Sequence, residues 1–134
     1  MNPQTLAEAV ALAGRIGHVF IATADPSGRA HLAAARRLTL GPEKQVAVAD
    51  WLCPKTVLNL RQNPFLSLVA WDPAADQGFQ LLGELQEMKD LEMMNGYSPE
   101  LEKKGPIPQV DRELVVRVDE ILEFKIAPHS DQEE

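Results

Sequence analysis

The sequence predicts a mainly β domain, an antiparallel barrel of six strands with short helices at its ends. Two observations lead to this prediction. Short apolar segments with the two-residue period of strands follow one another along the chain. Turn signals such as Asp25-Pro26-Ser27-Gly28 separate them at hairpin distance. Because 134 residues support one core but not two, residues 1–134 are expected to form a single domain.

The first element is a helix over residues 3–15. Leu6, Val10 and Ala13 fall on one helical face, and alanine, a strong helix former, is frequent. We expect this helix to pack against one end of the barrel.

A hairpin follows, with strands over residues 18–23 and 29–40. The second strand contains Ala33-Ala34-Ala35 and then Arg36 and Arg37, although alanine is a poor strand former. Small side chains would let a flat ring lie against the backbone, and an arginine would hold a phosphate through two hydrogen bonds. The alternative is an edge strand with small side chains and two solvated arginines.

The next stretch, a strand from Gln45 followed by a short helix, predicts an anion site. Pro54 suits the first turn of a helix, and Lys55 and Thr56 follow it directly. Unpaired amides, the positive end of a helix dipole and an ammonium group together favour a phosphate. Asn63-Pro64 ends the helix. The alternative is a capped surface helix whose lysine is merely solvated.

The second half of the chain predicts three further strands, over residues 65–71, 79–88 and 113–126. Between the last two, a short helix is expected over residues 89–95. Ser98-Pro99 resembles the start of another helix. Gly105-Pro106-Ile107-Pro108 reads as an irregular connector.

Two positions in these strands predict irregularities. Gly83 suggests a bulge or a close backbone approach, and Glu120 interrupts an alternating apolar series. The polar tail from Ala127 onward is expected to fray unless another part of the chain holds it. The interrupted series consists of Leu114, Val116, Val118, Leu122, Phe124 and Ile126.

Composition narrows the function. The net charge of −7 argues against a nucleic-acid or acidic-membrane surface, but one small anion held by local cations remains possible. Cys53 is the only cysteine, which excludes an internal disulfide and a cysteine-based metal cluster. No apolar run approaches the roughly 20 residues of a spanning helix. The N-terminus lacks a signal pattern, so a cytoplasmic location is expected.

Catalytic groups supplied by the protein itself are poorly supported. No serine lies in an elbow motif, and the three histidines are not paired at metal-ligand spacing. Cys53 precedes a helix start, where it is either a reactive thiol or a partly buried capping residue. An enzyme built on this chain would therefore need a cofactor.

The chain contains D-P-S-G-R-A-H-L at the hairpin, A-D-W near the end of the third strand, P-K-T at the helix start, then L-R-Q-N-P and W-D-P. The order of these motifs resembles that of the FMN-binding split-barrel family, which includes pyridoxamine 5′-phosphate oxidase. The similarity spans roughly residues 18–126. It implies a six-stranded antiparallel Greek-key split barrel with short flanking helices.

The resemblance also implies a homodimer with FMN bound at the subunit interface. Lys55 and Thr56 match the phosphate-binding pair, and Arg36 or Arg37 matches a phosphate ligand on the second strand. Asn59, one helical turn beyond Lys55, is a further candidate. The positions assigned to cofactor binding are Ala34, Ala35, Arg36, Arg37, Ala49, Asp50, Trp51, Lys55, Thr56 and Asn59.

The function implied is an FMN-dependent oxidoreductase with an unknown small-molecule substrate and no identified catalytic side chain. The chain lacks the C-terminal segment that binds pyridoxal phosphate substrates in the true oxidase, so pyridoxamine phosphate is not the expected substrate. One alternative is a non-catalytic flavin-binding electron carrier or sensor, and another is an interaction module without a cofactor. The groove could also bind deazaflavin or haem, with His18 or His31 as the candidate axial ligand.

Overall fold

This computed structural model describes residues 1–49, 53–93 and 110–132. These residues form two helices and seven strands, together with the turns between them. Neither helix has the length and apolar character needed to cross a membrane. In chain order the elements are α1 (Pro3–Ile16), β1 (Val19–Ala24), β2 (Ala30–Ala35), β3 (Arg37–Leu40), β4 (Gln45–Ala49), α2 (Pro54–Gln62), β5 (Phe65–Asp72), β6 (Gln77–Met93) and β7 (Val110–Glu123).

The strands form one antiparallel sheet in the order β2-β1-β5-β6-β7-β4-β3. Its two edge strands, β2 and β3, are consecutive in the chain and separated only by Arg36. The sheet must therefore curl until its edges meet at this residue. The predicted strand over residues 29–40 bends at Arg36 and changes partner from β1 to β4. For that reason the sheet has seven strands rather than the six expected.

The core fills the inside of this curl. Its fully buried side chains include Ile21, Val46, Leu68, Leu114 and Val116, which come from four different strands. The helix α1 packs against β3, β5 and β6 and closes the core on one side. As predicted, Leu6 and Ala13 of this helix are buried, whereas Val10 is only partly buried.

The close backbone approach expected at Gly83 is confirmed. A Cβ atom at this position would collide with the carbonyl oxygen of Arg117 on β7. The register changes here from Leu82 opposite Glu120 to Gly83 opposite Val118, which leaves Asp119 as an extra residue in β7.

This bulge overturns part of the predicted apolar series. Val118 is buried before the bulge, but Ile121, rather than Leu122, is the next fully buried side chain after it. The extra residue shifts the two-residue alternation by one position. Phe124 and Ile126 are consequently exposed, Ile126 to 81%.

The helix predicted from residue 89 is wrong over the described residues, because β6 continues as a strand to Met93. Lys89 lies opposite Glu113, and Asp90 accepts a hydrogen bond from Arg112 at 3.1 Å. Pairing with β7 therefore overrides the local helical preference. The remainder of this helix, the predicted start at Ser98-Pro99 and the connector over residues 105–108 lie outside the described residues.

The beginning of the polar tail is held by Asp76, which lies in the turn between β5 and β6. Its carboxylate accepts hydrogen bonds from the amides of Ile126 at 2.8 Å and Ala127 at 2.9 Å, and from the indole nitrogen of Trp71 at 3.1 Å. These bonds, led by the one from Ile126, lower the pKa of Asp76. The tail is thus fastened at its start.

Candidate functional site

The N-terminus of α2 presents backbone donors that have no partner within the helix. Cys53 is the N-cap residue, but its side chain makes no capping hydrogen bond, and Pro54 occupies the first turn. The first helical bond joins the amide of Val57 to the carbonyl of Cys53 at 3.4 Å. The amides of Lys55 and Thr56 precede this bond, so helix geometry directs them out of the helix end. The end is therefore suited to an anion.

Thr56 adds a buried donor to this end of the helix. Its side chain is 0% exposed, and its Oγ1 has no hydrogen-bond partner among the described residues. A buried hydroxyl without a partner costs about 1–3 kcal/mol. Buried hydroxyls without a partner are rare in native proteins. One explanation of such a group is that it binds a ligand.

Lys55 is exposed, and its positive charge acts on the turn between β1 and β2. The pKa of Asp25 in that turn is lowered first by hydrogen bonds from the Ser27 hydroxyl and the Arg29 amide, and additionally by the charge of Lys55. The Lys55 ammonium is therefore close enough to the β1–β2 turn to act on Asp25.

Asn59 fixes α2 to the sheet. It is buried, and its Nδ2 donates to Oγ1 of Thr23 on β1 at 3.0 Å. The amide nitrogen that the resemblance offered to a cofactor is thus already engaged with β1. We expect Asn59 to position the helix through this bond.

The predicted alanines lie at the end of β2 and face opposite ways. Ala35 is buried in the core, whereas Ala34 is exposed and lies opposite Phe20 of β1. This difference follows from strand alternation. Ala34 therefore belongs to the outer surface of the sheet.

The predicted arginines lie at the bend that joins the sheet edges, and both are exposed. Arg37 begins β3 and lies opposite Ala49, the last residue of β4. Asp50 and Trp51, which follow Ala49, lie outside the described residues.

The basic residues of β2 and of the bend are spread along the surface rather than gathered at one place. His31 of β2 contacts the α2 start through Cys53, and Arg36 lies five residues further on, about 17 Å along an extended chain. From residue 26 to residue 42 the chain has no aspartate or glutamate but contains Arg29, Arg36 and Arg37. This stretch is locally basic in a chain of net charge −7.

The sequence did not predict the contact between Cys53 and His31. Sγ of Cys53 lies 3.9 Å from Nε2 of His31, and Nδ1 of His31 is buried without a partner among the described residues. The two residues are 22 positions apart on different elements, so no local signal joins them. Within the described ranges no group of three or more histidine, cysteine, aspartate or glutamate side chains is arranged to hold a metal ion.

The outer face of β2, β1 and β5 is apolar and exposed. Leu32 is 67% exposed and Phe65 59%, and Phe20 lies between Ala34 and Val69 in the register. We call these five residues the outer apolar face. Exposed apolar surface of this kind is typical of interaction sites.

Comparison with known proteins identifies the fold. No protein-family model and no curated protein matches the chain. Solved structures do match: an FMN-binding protein from Syntrophomonas wolfei has a TM-score of 0.66 and 17% identity, covering 95% of this chain and 89% of its own. A pyridoxamine 5′-phosphate oxidase-related, FMN-binding protein from Nostoc punctiforme has a TM-score of 0.63 and 14% identity, covering 100% and 95%.

A third structure, the HupZ protein of Group A Streptococcus, has a TM-score of 0.66 and 16% identity, covering 97% of this chain and 99% of its own. The predicted resemblance is thereby confirmed at the level of the fold. The chain has the split-barrel fold of pyridoxamine 5′-phosphate oxidase-like FMN-binding proteins.

Proposed function

We propose that this split-barrel chain binds FMN at the start of α2 and along β2, and that it acts as an FMN-dependent oxidoreductase on a small molecule. The proposal depends on the buried hydroxyl of Thr56, which has no partner within the described ranges and lies at a helix N-terminus that the Cys53 side chain does not cap. A phosphate has several acceptor oxygens, and this helix end offers a hydroxyl, two backbone amides and the ammonium of Lys55. The donor set therefore fits a phosphate monoester.

The basic stretch from β2 to the bend supports a ligand larger than phosphate. About 17 Å of strand separates His31 from Arg36, and small alanines occupy most of the interval. An exposed small residue such as Ala34 lets a planar ring lie near the backbone. When bound, the flavin supplies the redox chemistry, and the residues of the chain bind and orient it.

The outer apolar face supports a homodimer. It is formed by Phe20, Leu32, Ala34, Phe65 and Val69, and a second copy would remove these side chains from water. We propose that two chains associate with FMN at their interface. We place the dimer in the cytoplasm, where reducing conditions suit a chain whose one cysteine is a free thiol.

A second candidate function is that of a flavin-binding electron carrier or sensor. β1 and β2 supply only one titratable side chain between them, His31, so the site has few groups for acid–base catalysis. Electron transfer needs no such group. The two functions differ in whether a substrate reoxidises the reduced flavin faster than air does.

The phosphate site is tested by FMN titration of Lys55→Ala, with binding followed by quenching of flavin fluorescence. Loss of one charge-assisted contact should weaken binding by about 1.5–3 kcal/mol. The matched control is Arg61→Ala, which removes an exposed cation from the last turn of the same helix. An unchanged affinity in Lys55→Ala, or an equal loss in both variants, would remove Lys55 from the site.

A further inference from the structure

We propose that Cys53 is a covalent modification site, whose thiol undergoes exchange with low-molecular-weight disulfides with the help of His31. The sulfur lies at the N-cap of α2, and Nε2 of His31 approaches it to 3.9 Å from β2. A thiolate is favoured at a helix N-terminus and beside an imidazole that can take its proton. Cys53 is half-buried, and the exchange requires that a small reagent reaches its sulfur.

Unpaired polar atoms beside the sulfur point to a polar occupant. Thr56 is the third residue after Cys53, and side chains at the N-cap and at this position of a helix are neighbours. Among the residues that the structure describes, neither its buried Oγ1 nor Nδ1 of His31 has a hydrogen-bond partner. A disulfide whose arm carries hydroxyl or amide groups would satisfy atoms that the folded chain leaves unpaired.

His31 is the base that the surroundings provide. Of the elements packed against α2, β1 has no titratable side chain and β2 has only His31. Lys55 follows on α2 itself and is exposed. Asp25, in the β1–β2 turn, already accepts bonds from Ser27 and Arg29.

The exchange balances without a further reactant. The thiol proton passes from Sγ to Nε2 of His31, and the resulting thiolate attacks one sulfur of the small disulfide. A new S–S bond joins Cys53 to one half of the reagent. The old S–S bond breaks, and the other half leaves as a thiolate that takes up the proton. The protein thiol is oxidised and one half of the reagent is reduced.

The experiment uses bis(2-hydroxyethyl) disulfide, an uncharged probe whose arms carry hydroxyl groups. The rate of adduct formation on the purified protein is followed by intact-mass spectrometry between pH 5.5 and pH 8.5. Because the chain has a single cysteine, one added mass reports Cys53 alone. At pH 6 the folded protein should react at least about tenfold faster than the same protein unfolded in urea.

His31→Gln should remove most of this advantage, whereas His18→Gln should retain it. His18 is the matched control, since its ring packs against Phe20 rather than against Cys53. A folded wild-type protein that reacts no faster than the unfolded chain would overturn the proposal, even if His31→Gln failed to fold. An equal rate in folded His31→Gln and wild type would overturn it as well.

The proposal does not require the flavin. The exchange is read from the mass of the protein, so it can fail while FMN binding succeeds, and the reverse. Thr56 takes part in both proposals, and we therefore expect the adduct and FMN to compete.

Discussion

The two helices begin alike and are used differently. Each has a proline in its first turn. In α1 the side chain of Asn2 accepts a hydrogen bond from the Gln4 amide at 2.9 Å, and Gly17, with a φ of 85°, closes the other end. In α2 the N-cap residue is Cys53, which makes no such side-chain bond.

The buried faces of α1 and α2 also differ, because the face of α1 is entirely apolar and that of α2 is not. The fully buried residues of α1 are Leu6, Ala9, Leu12 and Ala13, all apolar. α2 buries Thr56 and Asn59 together with two apolar side chains. A helix with satisfied ends and an apolar face serves stability, whereas unpaired buried donors lower stability unless something binds them. This contrast agrees with the proposal that α2 takes part in binding, whereas α1 serves the stability of the core.

The largest effect should come from the core face of α1. Leu6→Ala leaves a cavity at a fully buried position and should lower the free energy of unfolding by about 2–5 kcal/mol. The matched control is Leu58→Ala in α2, where the side chain is 53% exposed and little burial is lost. Urea denaturation measures both. Equal losses would show that α1 is not the helix that anchors the core.

A smaller effect on the free energy of unfolding, opposite in sign for Thr56 and Thr23, should distinguish a hydroxyl without a partner from one with a partner. Thr56→Val removes a buried hydroxyl that has no partner and should raise the stability of the flavin-free protein by about 1 kcal/mol. Thr23→Val removes the acceptor of Asn59 and should lower stability by about 1–3 kcal/mol.

Thermal and urea unfolding measure the stability of both variants, and FMN titration measures binding. Thr56→Val should bind FMN more weakly although the folded protein is more stable. If Thr56→Val instead loses stability to the same extent as Thr23→Val, the hydroxyl of Thr56 serves the fold and not a ligand.

The cap of α1 should contribute less. Asn2→Ala removes the acceptor of the Gln4 amide and should cost about 0.5–2 kcal/mol in a denaturation experiment. Gln4→Ala is the control, because only the backbone amide of Gln4 takes part in the cap. If the free energy of unfolding does not fall in Asn2→Ala, the side-chain cap does not stabilise α1, and the two helices do not differ in this respect.

The smallest effect should be the pH dependence of the ion pair that ties α1 to β5. Arg15 donates to Asp72 at 3.1 Å, and this bond is the main cause of the lowered pKa of Asp72. Because the pKa is lower in the folded state than the ordinary value of 3.8, the contribution is present above that pH. It disappears as the pH falls through the folded pKa.

Asp72→Asn should therefore lower stability slightly at pH 7 and reduce the loss of stability on acidification, since exposed pairs contribute little. Glu8→Gln removes a carboxylate from α1 without touching this pair and serves as the control. Denaturation curves between pH 7 and pH 3 compare the variants. A wild-type pH profile in Asp72→Asn would contradict the assignment.

Local signals predicted much of the fold. The turn at Asp25–Gly28 and the start of α2 at Pro54 depend on residues adjacent in sequence, and the close approach of β7 at Gly83 is indicated by the glycine itself. The bend at Arg36 and the strand character of residues 89–93 depend instead on which distant strand provides a partner. Local propensity carries no information about that choice.

The same distinction holds for the candidate site. The uncapped end of α2 was predictable because Pro54, Lys55 and Thr56 are consecutive. The meeting of Cys53 and His31 was not, since 22 residues and a change of element lie between them. The burial of Thr56 without a partner likewise depends on the packing of α2 against β1 and β2.

The bulge at Asp119 accommodates one extra residue in β7. Deleting this residue would restore a regular two-residue alternation from Val118, in which Glu120 still faces water and Ile121 still faces the interior. Gain or loss of one residue here during evolution would displace the last 15 residues of one aligned chain by one column. Two strands that superpose in space would then show few identical residues in a sequence alignment without a gap. The similarity of such proteins would be detected in their folds more readily than in their sequences.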